Sequence, residues 1–353
     1  MKAPRWPSRR RFFVGTATSA AAVALIAIGL PASALATHPA SHAGPNQTGP
    51  GYPPPGGIYK PFTNCPLLNP LMQESLPGDL TGCVAGDAVT GSITLGNITT
   101  PVAHPVTAQF GVWSPPNATP SQLSGGILPP PSGLAAQLVT SPEFVPGGML
   151  KALGCPGSDP TVQKLCVQAQ NFGGKYLNVF ALAQSAGQIT NFALTTWTQP
   201  VKFKLINPLL GNNCYIGSNN QPVVINPQVT GTLSFIPDPN PTRFPNVVVL
   251  QVSGGTATDN TFSAPGVTGC GPGGAKNIPV DEAIDANSGL PAASGVNSLT
   301  LNGTFSIADS FGNGNQAKTL LQAFAVSSQS GASREGARRI SAHSLRDGRF
   351  GLR

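Results

Sequence analysis

The chain has 353 residues, 42 of them Gly and 37 Pro; 9% of its residues are charged and 40% hydrophobic. Gly and Pro together reach close to twice their ordinary share of roughly 12%. So little charge with so much apolar content excludes a chain held open by self-repulsion, and the shortage of Lys, Glu and Arg leaves long amphipathic helices without a wet face. The expected fold class is mainly β, of the antiparallel β-sandwich type, with two related β-halves as one arrangement and a few short helices.

Residues 1–36 carry Lys2, Arg5, Arg9, Arg10 and Arg11 and no acid, then an uncharged run from Phe12 to Leu30, and end in Pro31-Ala-Ser-Ala-Leu-Ala36. A basic start, a short apolar core and a small-x-small ending are the parts of a secretory signal peptide, cleaved after Ala36. Ser8-Arg9-Arg10-Arg11-Phe12-Phe13 matches the twin-arginine export motif. That route moves folded cargo, whereas a cysteine-paired chain oxidises naturally after threading out unfolded, so both routes stay open. No second long apolar run follows, and we expect no stable membrane span after signal cleavage and a secreted, extracellular or cell-surface product.

The net charge of +7 resides in the ends: five basic residues lie in the signal, and six Arg against Glu335 and Asp347 lie after residue 330. Residues 37–330 hold 9 basic and 11 acidic side chains. Nucleic acid is therefore not an expected partner, because phosphate recognition needs basic residues on the folded face.

Residues 37–58 read as a Gly/Pro-rich, mobile linker closing on Tyr52-Pro-Pro-Pro-Gly-Gly57. Beyond it, β-branched and polar residues alternate, broken every eight to twelve positions by Gly, Pro or Asn. The pattern predicts strands over 88–95, 105–113, 176–183, 188–195, 201–206, 223–225, 230–236, 247–252, 298–307 and 320–326, and helices over 134–139, 160–168 and 280–286. Asn69-Pro-Leu-Met, Cys83 and Val89-Thr-Gly-Ser-Ile-Thr echo Asn207-Pro-Leu-Leu, Cys214 and Val229-Thr-Gly-Thr-Leu-Ser. The echo suggests a first β-half over 59–199 and a second over 200–328, with a basic disordered tail over 329–353.

Six cysteines, Cys65, Cys83, Cys155, Cys166, Cys214 and Cys270, follow the signal, an even count that reads as three disulfides in an exported chain. Sequence-local pairing, Cys65 with Cys83, Cys155 with Cys166 and Cys214 with Cys270, is the expected connectivity among fifteen. No C-x-x-C occurs, and His104 is the one histidine of residues 59–330, so no metal or other cofactor is expected.

Catalytic patterns are sparse. The G-x-S-x-G elbow of an α/β-hydrolase is absent, and His104 falls at a bend between strands. Asp281, Glu282 and Asp285 form the one acidic cluster, with Asp281 and Asp285 on one helical face, suited either to acid–base work or to Ca²⁺, and more simply to the polar first turn of a surface helix. Asp309-Ser-Phe-Gly-Asn-Gly-Asn315 has a calcium-loop look, but Asn313-Gly314 between two strands reads as a hairpin turn. Trp113, Trp197, Tyr176, Tyr215 and Phe203 are candidates for a glycan platform and better candidates for core.

The segment Val201-Lys-Phe-Lys-Leu-Ile-Asn-Pro-Leu-Leu-Gly-Asn-Asn-Cys-Tyr-Ile-Gly-Ser218, with Asp259-Asn-Thr-Phe-Ser-Ala-Pro-Gly-Val-Thr-Gly-Cys270 and Gly289-Leu-Pro-Ala-Ala-Ser-Gly295, resembles a group of secreted actinobacterial proteins of unknown function. Asn64-Cys-Pro-Leu and Phe144-Val-Pro-Gly-Gly-Met149 fit the same group, from which the basic tail departs. The resemblance implies an actinobacterial, exported product and brings no activity with it.

The expected function is a secreted, non-catalytic β-protein with a binding or structural role at the cell envelope or in the medium, its partner a cell-wall polymer. The alternatives are a carrier of an apolar small molecule, with a cavity lined by residues such as Phe180, Phe192, Phe203 and Phe235, and a secreted hydrolase working through Asp281, Glu282 and Asp285.

Overall fold

A computed structural model describes residues 51–76, 79–114, 126–272, 278–310 and 315–329. The signal segment, residues 37–50 of the linker and the tail beyond residue 329 lie outside these.

A 3-10 turn at Gly57–Phe62 and the short helix α1 (Pro70–Gln73) precede β1 (Leu80–Leu95), β2 (Ile98–Val102), β3 (Val106–Ser114) and β4 (Ile127–Leu128). A second 3-10 turn, Leu134–Ala136, leads to β5 (Leu138–Val139), β6 (Glu143–Phe144), α2 (Gly148–Leu153), α3 (Pro160–Phe172) and a third 3-10 turn, Gly174–Tyr176. Then come β7 (Phe180–Ser185), β8 (Thr190–Ala193), β9 (Thr196–Ile206), β10 (Tyr215–Ile216), β11 (Val223–Ile225), β12 (Gln228–Thr230), β13 (Leu233–Pro237) and β14 (Val247–Asp259). The series ends with β15 (Val267–Thr268), α4 (Ile278–Ser288), β16 (Ser298–Ser310) and helix α5 over residues 316–329.

Among the described residues every strand pair is antiparallel, and the pairs lead round a circuit. Strand β16 lies between β1 and β14, and β1 pairs onward with β3. Two segments then pass the sheet from one neighbour to the next. Residues 138–144 pair with β3 through β5 and with β7 through β6, and between these Thr140 Oγ1 donates to the Ala183 carbonyl at 2.7 Å. Residues 223–230 pair with β9 through β11 and with β14 through β12. Because β7 also pairs with β9, the sheet closes into a barrel of eight walls, and closure removes the free edges that an open sheet would present. The mainly antiparallel β class is as expected, its packed layers being opposite sides of one curled sheet.

The curl is concentrated at one level. Strand β1 loses register between Ala88 and Thr90 and β14 between Val252 and Gly255, both opposite Gly303 of β16. A Cβ at Gly303 would overlap the Asp87 carbonyl, so the strands bend here only because that position is Gly.

Three apolar clusters dress the barrel. At one end α2, α3 and α4 pack Met149, Leu165 and Ile284 against Val201, Phe203 and Leu205 of β9. At the other, Phe110, Ile189, Phe192, Leu250 and Ile307 fill the interior. Outside, Tyr59, Phe62, Leu67 and Met72 join Leu320, Ala323 and Phe324 of α5 on the outward residues Cys83, Ala85, Val249 and Ala308. All three disulfides have the expected partners, Cys65–Cys83, Cys155–Cys166 and Cys214–Cys270. The first fastens the amino-terminal segment to β1, the second α2 to α3.

Several expectations change. Residues 320–326 are helical rather than extended, because Ala317, Leu320, Ala323 and Phe324 bury one face at the three- and four-residue spacing of a helix. The helix expected over 134–139 is a 3-10 turn followed by β5, and Gly174–Tyr176 is a turn ahead of β7. Residues 51–58 of the expected mobile linker are fastened down: the Tyr52 hydroxyl donates to the carbonyls of Phe62 and Cys65, and its ring lies 6.1 Å from that of Phe324. The boundary placed near residue 200 falls inside β9, and strands from before and after it share the barrel.

Phe324 is fully buried, with the rings of Tyr59 and Phe62 at 4.9 and 6.0 Å. Phe324→Ala is expected to lower unfolding free energy by about 3–5 kcal/mol, the range for deleting a buried aromatic, read from chemical denaturation of the oxidised protein.

Candidate functional site

Inward positions of the barrel alternate along each wall, as the pleat requires. On β9 these are Trp197, Gln199, Val201, Phe203 and Leu205, all buried, with half-buried neighbours between them. Several facing walls contribute little volume: Gly86 and Ala88 on β1, Ala181 and Ala183 on β7, Gly255 and Ala257 on β14. An eight-walled barrel is just wide enough to be filled by ordinary side chains or to hold one small ligand. With Gly and Ala at so many inward positions, the lumen keeps a cavity of about 140 Å³ within roughly 1080 Å³ of unfilled space that includes its open part.

The lining is overwhelmingly apolar. Trp197 and Phe305 stack nearly parallel, ring centres 5.5 Å apart, and both face the cavity along with Phe203, Leu299 and Leu301. Asp87, at the irregularity of β1, is the one exposed residue among those lining it. Glu143, buried at 8% exposure, turns its carboxylate to the bend at His104, accepting from the His104 backbone N–H at 2.8 Å and lying 3.2 Å from its Nδ1. His104 itself occupies the bend between β2 and β3, as its sequence setting predicts, with its ring largely exposed. Gln199 is 2% exposed; its Oε1 accepts from the Trp197 indole N–H at 3.1 Å, and its Nε2 has no hydrogen-bond partner.

The acidic cluster of α4 faces away from this lumen and is engaged in holding the fold. Asp281 accepts the backbone N–H groups of Gly269 and Cys270 at 3.0 and 2.8 Å, and Asp285 that of Val267 at 2.7 Å, so the two carboxylates fasten β15 and the Cys214–Cys270 bridge to the helix. Burial pushes the Asp285 carboxyl above its usual range; the Val267 N–H opposes this and the Asp281 charge adds to it. Glu282 is exposed. Among the described residues no three His, Cys, Asp or Glu side chains converge as metal ligands.

The proposed aromatic platform is dispersed: Trp113 packs at the outer cluster, Trp197 in the barrel end, Phe203 against the helical cap, Tyr176 against Phe172, and Tyr215 beneath Lys202. Of the four phenylalanines expected around an apolar cavity, Phe203 lines it. Phe192 packs edge-on against Phe110 in the core, Phe180 meets Phe144 in the same way, and Phe235 is 68% exposed on β13. Asn313 and Gly314 lie outside the described residues, and a helix follows β16, not the second strand of a hairpin. Sequence reasoning passed over Gln199 and the small inward residues; the strict alternation of Trp197, Gln199, Val201 and Phe203 was their signal.

No protein-family model, curated protein or solved structure matches the chain.

Two predictions follow from the carboxylates. Asp309 is buried at the end of β16 with the Ser310 backbone N–H donating to it, and burial raises its pKa to about 7 against that bond's opposing effect. The folded state then binds a proton that the unfolded state releases near pH 4, so stability is greatest at low pH, falls through pH 4–7 and levels off above. The Asp309→Asn variant is expected to lose this slope, worth on the order of 4 kcal/mol, in denaturation midpoints compared with wild type from pH 4 to 8. Asp281→Ala orphans two backbone N–H groups and is expected to destabilise by about 1–3 kcal/mol while leaving occupancy of the lumen unchanged, checked by melting and ligand titration together.

Proposed function

We propose that this chain is an exported, non-catalytic binding protein whose barrel holds an apolar small molecule, acting in the medium or at the cell envelope. The observation that carries the reading is the lumen: facing Gly and Ala residues leave a cavity inside the barrel, and its surface is almost wholly apolar. A concave apolar site with few polar groups is the usual form of a small-molecule pocket. Protein interiors are otherwise packed to crystal density, so an unfilled lumen gives up dispersion contacts that a guest would supply.

Export is supported by the basic, apolar and small-x-small succession of residues 1–36 and by three disulfides, the bonds of an oxidising compartment. No described helix is long and apolar enough to cross a membrane. A wall-polymer platform finds less support, since Trp197 and Phe203 face the lumen while Trp113, Tyr176 and Tyr215 pack elsewhere against other neighbours. A carboxylate-dependent hydrolase finds less again, since Asp281 and Asp285 are occupied by backbone N–H groups.

The test is titration of the mature, oxidised protein with N-phenyl-1-naphthylamine, whose fluorescence rises in apolar surroundings. Wild type is expected to bind it saturably at one equivalent. Ala183→Phe places a ring in the lumen and is expected to weaken binding at least tenfold without lowering the melting temperature, because the space it fills is empty. Absence of saturable binding, together with absence of any small molecule in an organic extract of protein secreted by its native host, would remove the reading.

A further inference from the structure

Gln199 gives the lumen a chemical preference. Its side chain is 2% exposed, lines the cavity and lies in the alternating inward row of β9 between Trp197 and Val201. The orientation of its amide is set by its neighbour: an indole N–H can only donate, so the atom 3.1 Å from Trp197 Nε1 is the amide oxygen. Trp197 is held in turn by stacking on Phe305 at 5.5 Å and 10°. The amide nitrogen therefore faces away from the indole and is buried without an acceptor.

An unpaired amide N–H₂ is unfavourable in so apolar a place. Asp87, Thr100, Ser141 and Thr304 also line the cavity, yet Nε2 has no partner: the Glu143 carboxylate is turned to His104, and the Thr140 hydroxyl donates to Ala183. What fits the site is a guest with an apolar body and one acceptor oxygen.

We infer that the barrel selects apolar molecules carrying a single hydrogen-bond acceptor, a ketone, aldehyde, ester or ether, and that Gln199 Nε2 donates to that oxygen. This rests on the carrier reading above and adds to it the class of ligand and the residue that recognises it. Gln199 holds the guest and takes no part in chemistry.

The experiment uses two nearly isosteric probes, acetophenone and α-methylstyrene, which differ in a C=O against a C=CH₂. Each displaces N-phenyl-1-naphthylamine from wild type and from Gln199→Leu, a change that keeps much of the volume and removes the donor. Because the free ligands differ in hydration, the readout is the change in their affinity ratio between the two proteins. The ratio is expected to move about 3- to 10-fold against acetophenone in the variant, the effect of one hydrogen bond, with α-methylstyrene held or tightened. Gln199→Met repeats the comparison if the leucine variant folds poorly. Binding of both probes to wild type with an unchanged ratio in the variants would overturn the role of Gln199 and leave the carrier reading standing. Failure of wild type to bind either probe or the dye would overturn the carrier reading, and this inference with it.

Discussion

A sheet becomes a barrel only when its last edge finds a partner, and in this protein that partner is a short, irregular piece of chain. Residues 138–144 pair with β3 by their first half and with β7 by their second. Across the barrel, residues 223–230 pass in the same way from β9 to β14. Neither segment is a full-length strand, so neither could hold a sheet alone; each is held by ladder pairing to one neighbour through its first part and to the next through its second. The lumen, its helical cap and the opposite aromatic floor all depend on those two transfers, since without them the inward row of β9 would face solvent.

Closure fixes the diameter, and side-chain volume then decides whether the interior is solid. Where the inward residues are Phe110, Phe192, Leu250 and Ile307 the barrel is filled. Where they are Ala181, Ala183, Gly255 and Ala257 it is not. The same low volume serves the curvature, since Gly303 lets β1 and β14 lose register on either side of β16 at that level. Gln199 belongs to the empty part, where a polar atom without a partner is hardest to accommodate.

The outer layers explain how so weakly charged a chain holds together. Asn207 is a case in which one buried amide replaces many contacts: its Nδ2 donates to the carbonyls of Tyr176 and Asn178 at 2.9 and 2.7 Å, and its Oδ1 accepts from Leu209 N–H at 2.8 Å. Asn297 does the same at the other side of the cap, receiving the Gly96 N–H and donating to Phe262 and Ala293. Asp281 and Asp285 belong with these two, as side chains that complete loop backbone. Loop-rich folds with few helices leave many such backbone groups, and short polar side chains are the economical way to meet them.

Local chemistry was legible in the chain. Gly and Pro content, with period-two alternation, indicated antiparallel strands, and nine of the ten strands read from that pattern overlap observed ones. Cysteine spacing indicated the three bridges. The helix expected over 160–168 does begin at Pro160, where the Asp159 carboxylate caps Thr161 and Val162. Leu-Leu-Gln-Ala-Phe-Ala-Val read as a strand because a short apolar run carries both periods at once, and only the surface it lies on, the outer face of β1, β14 and β16, selects the helical one. The cavity was not legible for a related reason. Alternation says which residues share a face, but whether that face meets a neighbour or an opposite wall far away in the chain depends on closure. An Ala on a strand has the same local meaning beside a filled core as beside an empty lumen, and tertiary structure alone distinguishes the two.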